Sequence, residues 1–308
     1  NAMQQAAEHA GSLRHVIQTV GYEIETVRIA TTPFPTWLSL DNPGEVIEAV
    51  QRLERLAEQH GNAYLSLGPA LPEHGLAFSL IPRILHATSK VFATGMMTRA
   101  GSVVDLQAVR SCATVIHETA PQSPDGFNNL RFSALANVPP GCPYFPSAYA
   151  QPGKNMSFAL AIESADVAYQ VFKAAASFDS ARSELLRRLE EFTRLIETEI
   201  SRLPSSPKLE FGGFDISLAP HPSPGNSLGE AIEALGIPAY GLAGSLAASA
   251  FVTSTLDMGT WRMAGFNGLM VPVLEDSGLA KRAAEGTLTV KDLVMFSAVC
   301  GTGLDTLP

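Results

Sequence analysis

Cys142, Cys300, Asp215, His221 and Asp305 are the residues of this 308-residue chain whose types and settings suit chemistry. Cys142 lies in FSALANVPPGCPYFPSAYA, residues 132–150, with prolines on both sides that leave the loop few conformations. A thiol held on such a loop is a candidate nucleophile once a cationic or basic neighbour supports its thiolate. No histidine lies close in sequence, so His221 could serve only through the fold. Cys300 closes an apolar helix pattern in SAVCGTGLDTLP, beside two glycines and Asp305. It is a second candidate nucleophile, although a cysteine in that setting is more often a packed core residue. Asp215 and His221 bracket a strand end in DISLAPHPSPGNSLGEAIEALG and are the candidates for proton transfer. The plainer alternative has Asp215 tying down the turn and His221 solvated. Ser227 and Glu230 stand at capping-box spacing, which starts a helix near Ser227. Its first-turn amides are expected to attract an anionic group of a ligand, unless the cap already satisfies them. Asn137, Tyr149, Ser227 and Asp305 complete the set as ligand-binding candidates.

Other motifs are absent. There is no G-x-x-x-x-G-K-[ST] and no strand-anchored G-x-G-x-x-G, and Ala243 stands where a nucleophile elbow needs glycine. His117-Glu118 lacks a second histidine at zincin spacing, and three scattered cysteines make neither a zinc site nor a disulfide framework. No cofactor is named by the sequence. TWRMAGFNG, residues 260–268, is similar to the glycyl-radical signature, with Gly265 at the radical position. LMVPVLEDSG and two further helix patterns follow it, so Gly265 is expected to carry no radical.

These residues need elements to hold them. Apolar periodicity predicts helices over 4–20, 43–61, 75–87 and 104–120, alternating with strand-like runs at 22–31, 63–68 and 90–97. Such alternation means a sheet with helices packed outside it. Cys112 falls on the apolar face of the fourth helix and is expected to be buried and inert. Two strand-like runs, 128–138 and 156–164, flank the Pro-rich loop and read as a long hairpin. Helices over 165–178 and 181–203 follow, then a glycine-interrupted strand over 209–219. Small-residue helices at 227–236, 245–259 and 289–301 complete the chain.

Composition bounds the rest. Hydrophobic residues make up 46% and charged residues 17%, enough for one large core. Acidic residues outnumber basic ones 30 to 21, giving −9, and no basic cluster stands out, which argues against a nucleic-acid partner. No run of about 18 apolar residues occurs, so no membrane span is expected. The opening NAMQQAAEHAG shows no leader pattern, and few cysteines suit a reducing cytoplasm.

Four blocks in order, FSALANVPPGCPYFPSAY, FDISLAPHPSPGNSLGEAIEALG, NGLMVPVLEDSGLA and FSAVCGTGLDTLP, resemble the domain-of-unknown-function 711 family of bacterial and archaeal proteins. The resemblance runs from about Tyr22 onward and is strongest in Asp-x-Ser-Leu-Ala-Pro and Ala-Val-Cys-x-x-Gly-Leu-Asp. It implies an α/β fold: a ten-stranded α/β barrel of the pyruvate-formate-lyase-like type, helices outside and a hairpin loop inside. Residues 138–150 are the candidate inner loop, which carries the catalytic cysteine in glycyl-radical enzymes. Fold kinship alone does not transfer that chemistry. The resemblance also implies a single barrel domain over 1–308, clipped of an N-terminal strand and a C-terminal extension. The expectation is a cytoplasmic homodimer that binds a small polar or anionic metabolite in the barrel mouth, as a non-radical enzyme. A non-catalytic ligand sensor or assembly protein is the alternative, and a degenerate glycyl-radical enzyme is a third.

Overall fold

Leu65, Leu67, Val91, Ala93 and Phe132 all join one buried cluster, while the residues between them, Ser66, Phe92 and Ser133, lie outside it. That two-residue alternation marks strands with two different faces. The computed structural model describes residues 2–203, 209–223, 225–300 and 302–304. They fall into two compact units, Asn1–Phe158 with Glu199–Phe211, and Ala159–Thr198 with Gly212–Pro308.

The first unit opens with helix α1 (Ala2–Thr19) and continues through β1 (Arg28–Ala30), α2 (Pro43–Gln59), β2 (Tyr64–Ala70), α3 (Gly75–Ala87) and β3 (Val91–Met96). A small antiparallel hairpin of β4 (Thr98–Arg99) and β5 (Val103–Val104) leads into α4 (Leu106–Thr119), α5 (Phe127–Leu130) and β6 (Phe132–Leu135). Asn42 and Asp105 cap α2 and α4, their side chains accepting from Gly44 N and Ala108 N. β1, β2, β3 and β6 form one parallel sheet in that order. Its apolar face packs with Val46, Val50, Phe78, Ile81, Ala108 and Cys112 of α2, α3 and α4. Gly95 permits that approach, because a Cβ there would stand 2.7 Å from Cys112 Sγ. The buried Pro82 does not break α3.

β7 (Met156–Glu163) and β8 (Leu209–Ala219) pair as a separate two-stranded sheet. The expected hairpin across the Pro-rich loop is therefore corrected: its flanking strands, β6 and β7, pair in different sheets. β6 finds a parallel partner in β3, with Thr94 beside Ser133, instead of folding back on β7. The strand expected over 22–31 shrinks to three residues, which is all that β2 pairs. The hydrogen-bonded sheets among the described residues have four, two and two strands, in a mixed α/β fold.

In the second unit α6 (Ala165–Ala174) and the long α7 (Phe178–Ser201) precede β8. Then come α8 (Leu228–Glu233), α9 (Ser245–Leu256), α10 (Ser277–Ala284) and α11 (Val290–Phe296). The helix expected over 289–301 ends at Phe296, which leaves Cys300 on the segment beyond it. α10 is the first of the two helix patterns expected after LMVPVLEDSG, to which the pattern assigns no bounds. Its start is set by Asp276, whose side chain accepts from Leu279 N.

Candidate functional site

The loop after β6 is fastened across the face of the parallel sheet that the helices leave uncovered. Ser66, on that face of β2, donates its hydroxyl to Ala148 O at 2.7 Å and accepts from Gly68 N. Ala150 N donates to Thr31 O just after β1, and Asn137 N donates to Thr98 Oγ1 just after β3. At the amino end of this face Phe145 packs edge-on against Phe92, and Arg28 lies over the rings of Tyr64 and Phe145. The loop thus spans three strands through side-chain and backbone ties. In open α/β sheets, ligands sit outside the carboxyl ends of strands, where these loops gather.

Three sequence candidates are on this loop. Asn137 takes a left-handed conformation (φ 58°), which asparagine tolerates better than most residues. Tyr149 donates its hydroxyl to Val138 O at 2.7 Å, and its carbonyl accepts from Gly141 N. Burial pushes its phenol pKa up, and the charge of a Cys142 thiolate would add to the shift. Cys142 is 4% exposed, with Sγ 3.4 Å from Ser147 Oγ. Ser147 reaches Tyr144 O at 2.9 Å, and Tyr144 O also lies 4.0 Å from Cys142 Sγ, so either partner of the Cys142–Ser147 contact can be its donor. Nucleophilic use of Cys142 requires a base.

The second unit collects other candidates around residues 266–269. Asp215, fully buried on β8, accepts from Phe266 N (2.6 Å), Asn267 N (2.9 Å) and Ser217 Oγ (2.6 Å). Ser217 Oγ accepts from Gly268 N, and Cys300 Sγ accepts from Leu269 N at 3.0 Å. Four consecutive amides are thus received by three side chains. Cys300 also donates to Leu269 O and accepts from Thr302 N. Burial raises the Asp215 pKa, while the three donors around it pull the other way. Gly265 lies in the turn that Asp215 anchors. Asp215 and Cys300 are brought to the same turn.

Ser227 and His221 stand apart from that turn. Ser227 caps α8, accepting from Glu230 N, and donates to the buried Asp276 carboxylate at 2.5 Å. Asp276 Oδ2 accepts from Leu228 N at 2.7 Å and Gly229 N at 3.4 Å. The anion expected at this helix start is the chain's own: Asp276 fills the place assigned to a ligand. His221 is exposed, with Nδ1 3.0 Å from Ser223 Oγ. Asp305 lies outside the described residues.

The family description "Uncharacterised ACR (DUF711)" matches residues 1–308. The chain belongs to the DUF711 family. Three relatives each carry the description "UPF0210 protein". That of Pyrobaculum islandicum is 29% identical over 96% of this chain and 68% of its own length. The Methanopyrus kandleri protein is 30% identical over 98% and 71%. A Clostridium beijerinckii protein is 28% identical over 98% and 70%. This DUF711 chain thus has relatives in both archaea and bacteria, and neither the family description nor these names assigns an activity. Among its described residues no helix is long and apolar enough to cross a membrane. None of them form a group of three or more His, Cys, Asp or Glu side chains placed to hold a metal ion.

Sequence reasoning missed several polar residues of the DUF711 sheet and of the turns beside it. Thr94 of β3 is fully buried, and its hydroxyl has no partner among the described residues. His74, in the turn between β2 and α3, has a buried Nδ1 that is likewise unpartnered. Ser66 and Thr98 hold the loop. Hydroxyls at alternate positions of otherwise apolar strands were the available signal, since alternation assigns Ser66 and Thr94 to the face away from the helices.

Proposed function

We propose that this protein binds a small polar metabolite under the 137–150 loop, and that it acts there as an enzyme without radical chemistry. The observation that carries the reading is the fastening of that loop across the polar sheet face through Ser66, Thr98 and Thr31. It ties Asn137 to Thr98 just after β3 and holds Tyr149 beside the Ala150–Thr31 tie just after β1, on the loop that also carries Cys142. Cys142 would be the nucleophile, with His74 a candidate for its base, and Tyr149, whose proton goes to Val138 O, a neutral acceptor. Asp215 and Cys300 fit a supporting role for the 266–269 turn, with proton transfer by Asp215 or His221 retained from the sequence reading. The ten-stranded barrel with this loop inside it, cytoplasmic residence and a homodimer belong to the same reading; sedimentation velocity tests the dimer.

The test is a metabolite panel run on wild type, Cys142→Ser and His74→Gln, with mass spectrometry of any molecule released from purified protein on denaturation. Turnover abolished by Cys142→Ser supports the enzyme. A retained ligand without turnover favours the second reading, a non-catalytic sensor, which the burial of Cys142 also suits. With no ligand, no turnover and no protection of Cys142 from iodoacetamide by any compound in the panel, both readings fail.

A further inference from the structure

We infer that Thr94, with Ser133 beside it, forms a contact for an uncharged hydrogen-bonding group of the ligand. This deepens the reading that the 137–150 loop covers a metabolite site, and it rests on that reading. Val91 and Ala93 point into the helix-side core, so Phe92 and Thr94 point to the other face. Phe132 and Ala134 pack toward the same core, which turns Ser133 to the face of Thr94. Thr94 pairs in register with Ser133 on one side and Pro69 on the other. Neighbouring strands lie about 4.8 Å apart, so the two hydroxyls flank one position.

The state of these hydroxyls differs along the face. Ser66 is satisfied by Ala148 O and Thr98 by Asn137 N, both from the loop. Thr94 lies between those two ties, fully buried, and receives nothing. A valine would pack there equally well, and a buried hydroxyl without a partner is costly enough that native proteins rarely keep one. β2 bulges between Ser66 and Pro69, beside Thr94, and bulges are over-represented next to active sites. Residues 64–70, 91–98 and 132–150 contain no Asp, Glu, Lys, Arg or His; the cation on this face, Arg28, lies at its amino end over Tyr64 and Phe145, and His74 lies four residues beyond β2. An ionic group placed against them would be desolvated without a counter-charge. The group Thr94 meets is therefore a hydroxyl, carbonyl or carboxamide.

Saturation-transfer NMR with glycolamide and 1,2-propanediol, against glycolate and glycerol phosphate, tests this on the full chain. The neutral probes are expected to bind wild type and Thr94→Ser, and to weaken about three- to tenfold in Thr94→Val, the loss of one neutral hydrogen bond. The anions are expected to give little signal. Neutral probes bound equally by wild type and Thr94→Val would overturn the inference, as would stronger binding of the anions. A crystal structure with ordered water alone at Thr94 in saturating glycolamide would also overturn it. Glycolamide that slows iodoacetamide labelling of Cys142 equally in wild type and Thr94→Val would remove Thr94 while sparing the loop site. Absence of binding and of protection would remove both.

Discussion

Asp276 gathers donors from two helix starts around one buried carboxylate: the Ser227 hydroxyl, Leu228 N and Gly229 N from α8, and Leu279 N from α10. Asp276→Ala is expected to cost about 2–4 kcal/mol in urea unfolding, since two caps are lost together. An unchanged midpoint would mean the helix starts do not depend on it. The cysteines separate by environment. Cys112 is 1% exposed and donates toward Gly95 O, and burial pushes its thiol from 9.0 to about 12. The raised value favours the protonated thiol in the fold. Its contribution to stability is therefore whole below pH 9 and is lost as pH climbs through about 12. At pH 8 its thiolate is roughly one part in ten thousand, so iodoacetamide is expected to label Cys142 or Cys300 well before Cys112. First labelling at Cys112, read by mass spectrometry, would refute that environment.

Elements are joined here by close approaches that single residues permit. Gly213 on β8 has φ 130°, and a Cβ on it would come 2.4 Å from Arg262 O, the carbonyl that accepts from Phe214 N. Gly213→Ala is expected to cost about 3 kcal/mol or more and to loosen the 262–264 segment. Gly141→Ala makes the contrast: φ is 94° but nothing lies within 4 Å, so about 1–2 kcal/mol is expected, from backbone strain alone. Equal losses in thermal unfolding would put backbone strain, rather than the Arg262 contact, in control at Gly213. Arg131 works differently, as a buried cation without a salt bridge among the described residues. It donates to Leu85 O at the end of α3, Val91 O at the start of β3 and Asn128 Oδ1 on α5. Arg131→Met would leave those acceptors bare, with an expected loss of about 2–4 kcal/mol in urea unfolding.

The whole molecule is acidic, with 30 carboxylate residues against 21 Lys and Arg. Some of its cations are paired at the surface, as in the Glu184, Arg187, Arg188 and Glu191 cluster on α7. Glu184 is held at about 2, first by hydrogen bonds from Arg187 and Arg188. With a formal charge of −9 and no Lys/Arg cluster in the sequence, the protein is expected to pass through a heparin column at about 0.1 M salt without retention. Retention there would mark a basic surface that the sequence does not display.

Local chemistry was legible in the sequence. Ser227 marks a helix start because a cap acts within three residues of itself, and the strands β2, β3 and β8 follow from spacing alone. Burial of Cys112 followed from its place on an apolar helix face. The partners of the site residues were not legible. Ser227 meets Asp276 across 49 residues, Asp215 meets Phe266 across 51, and Ser66 meets Ala148 across 82. β6 could have folded back on β7 by pattern, yet it pairs with β3, more than thirty residues earlier. A capping serine, a strand aspartate and an alternating hydroxyl have the same local preferences whichever donor or acceptor finally meets them. Only the packing of distant segments decided that Asp276 takes the amides at α8, that Asp215 holds a turn, and that Thr94 keeps a hydroxyl with no partner among the described residues.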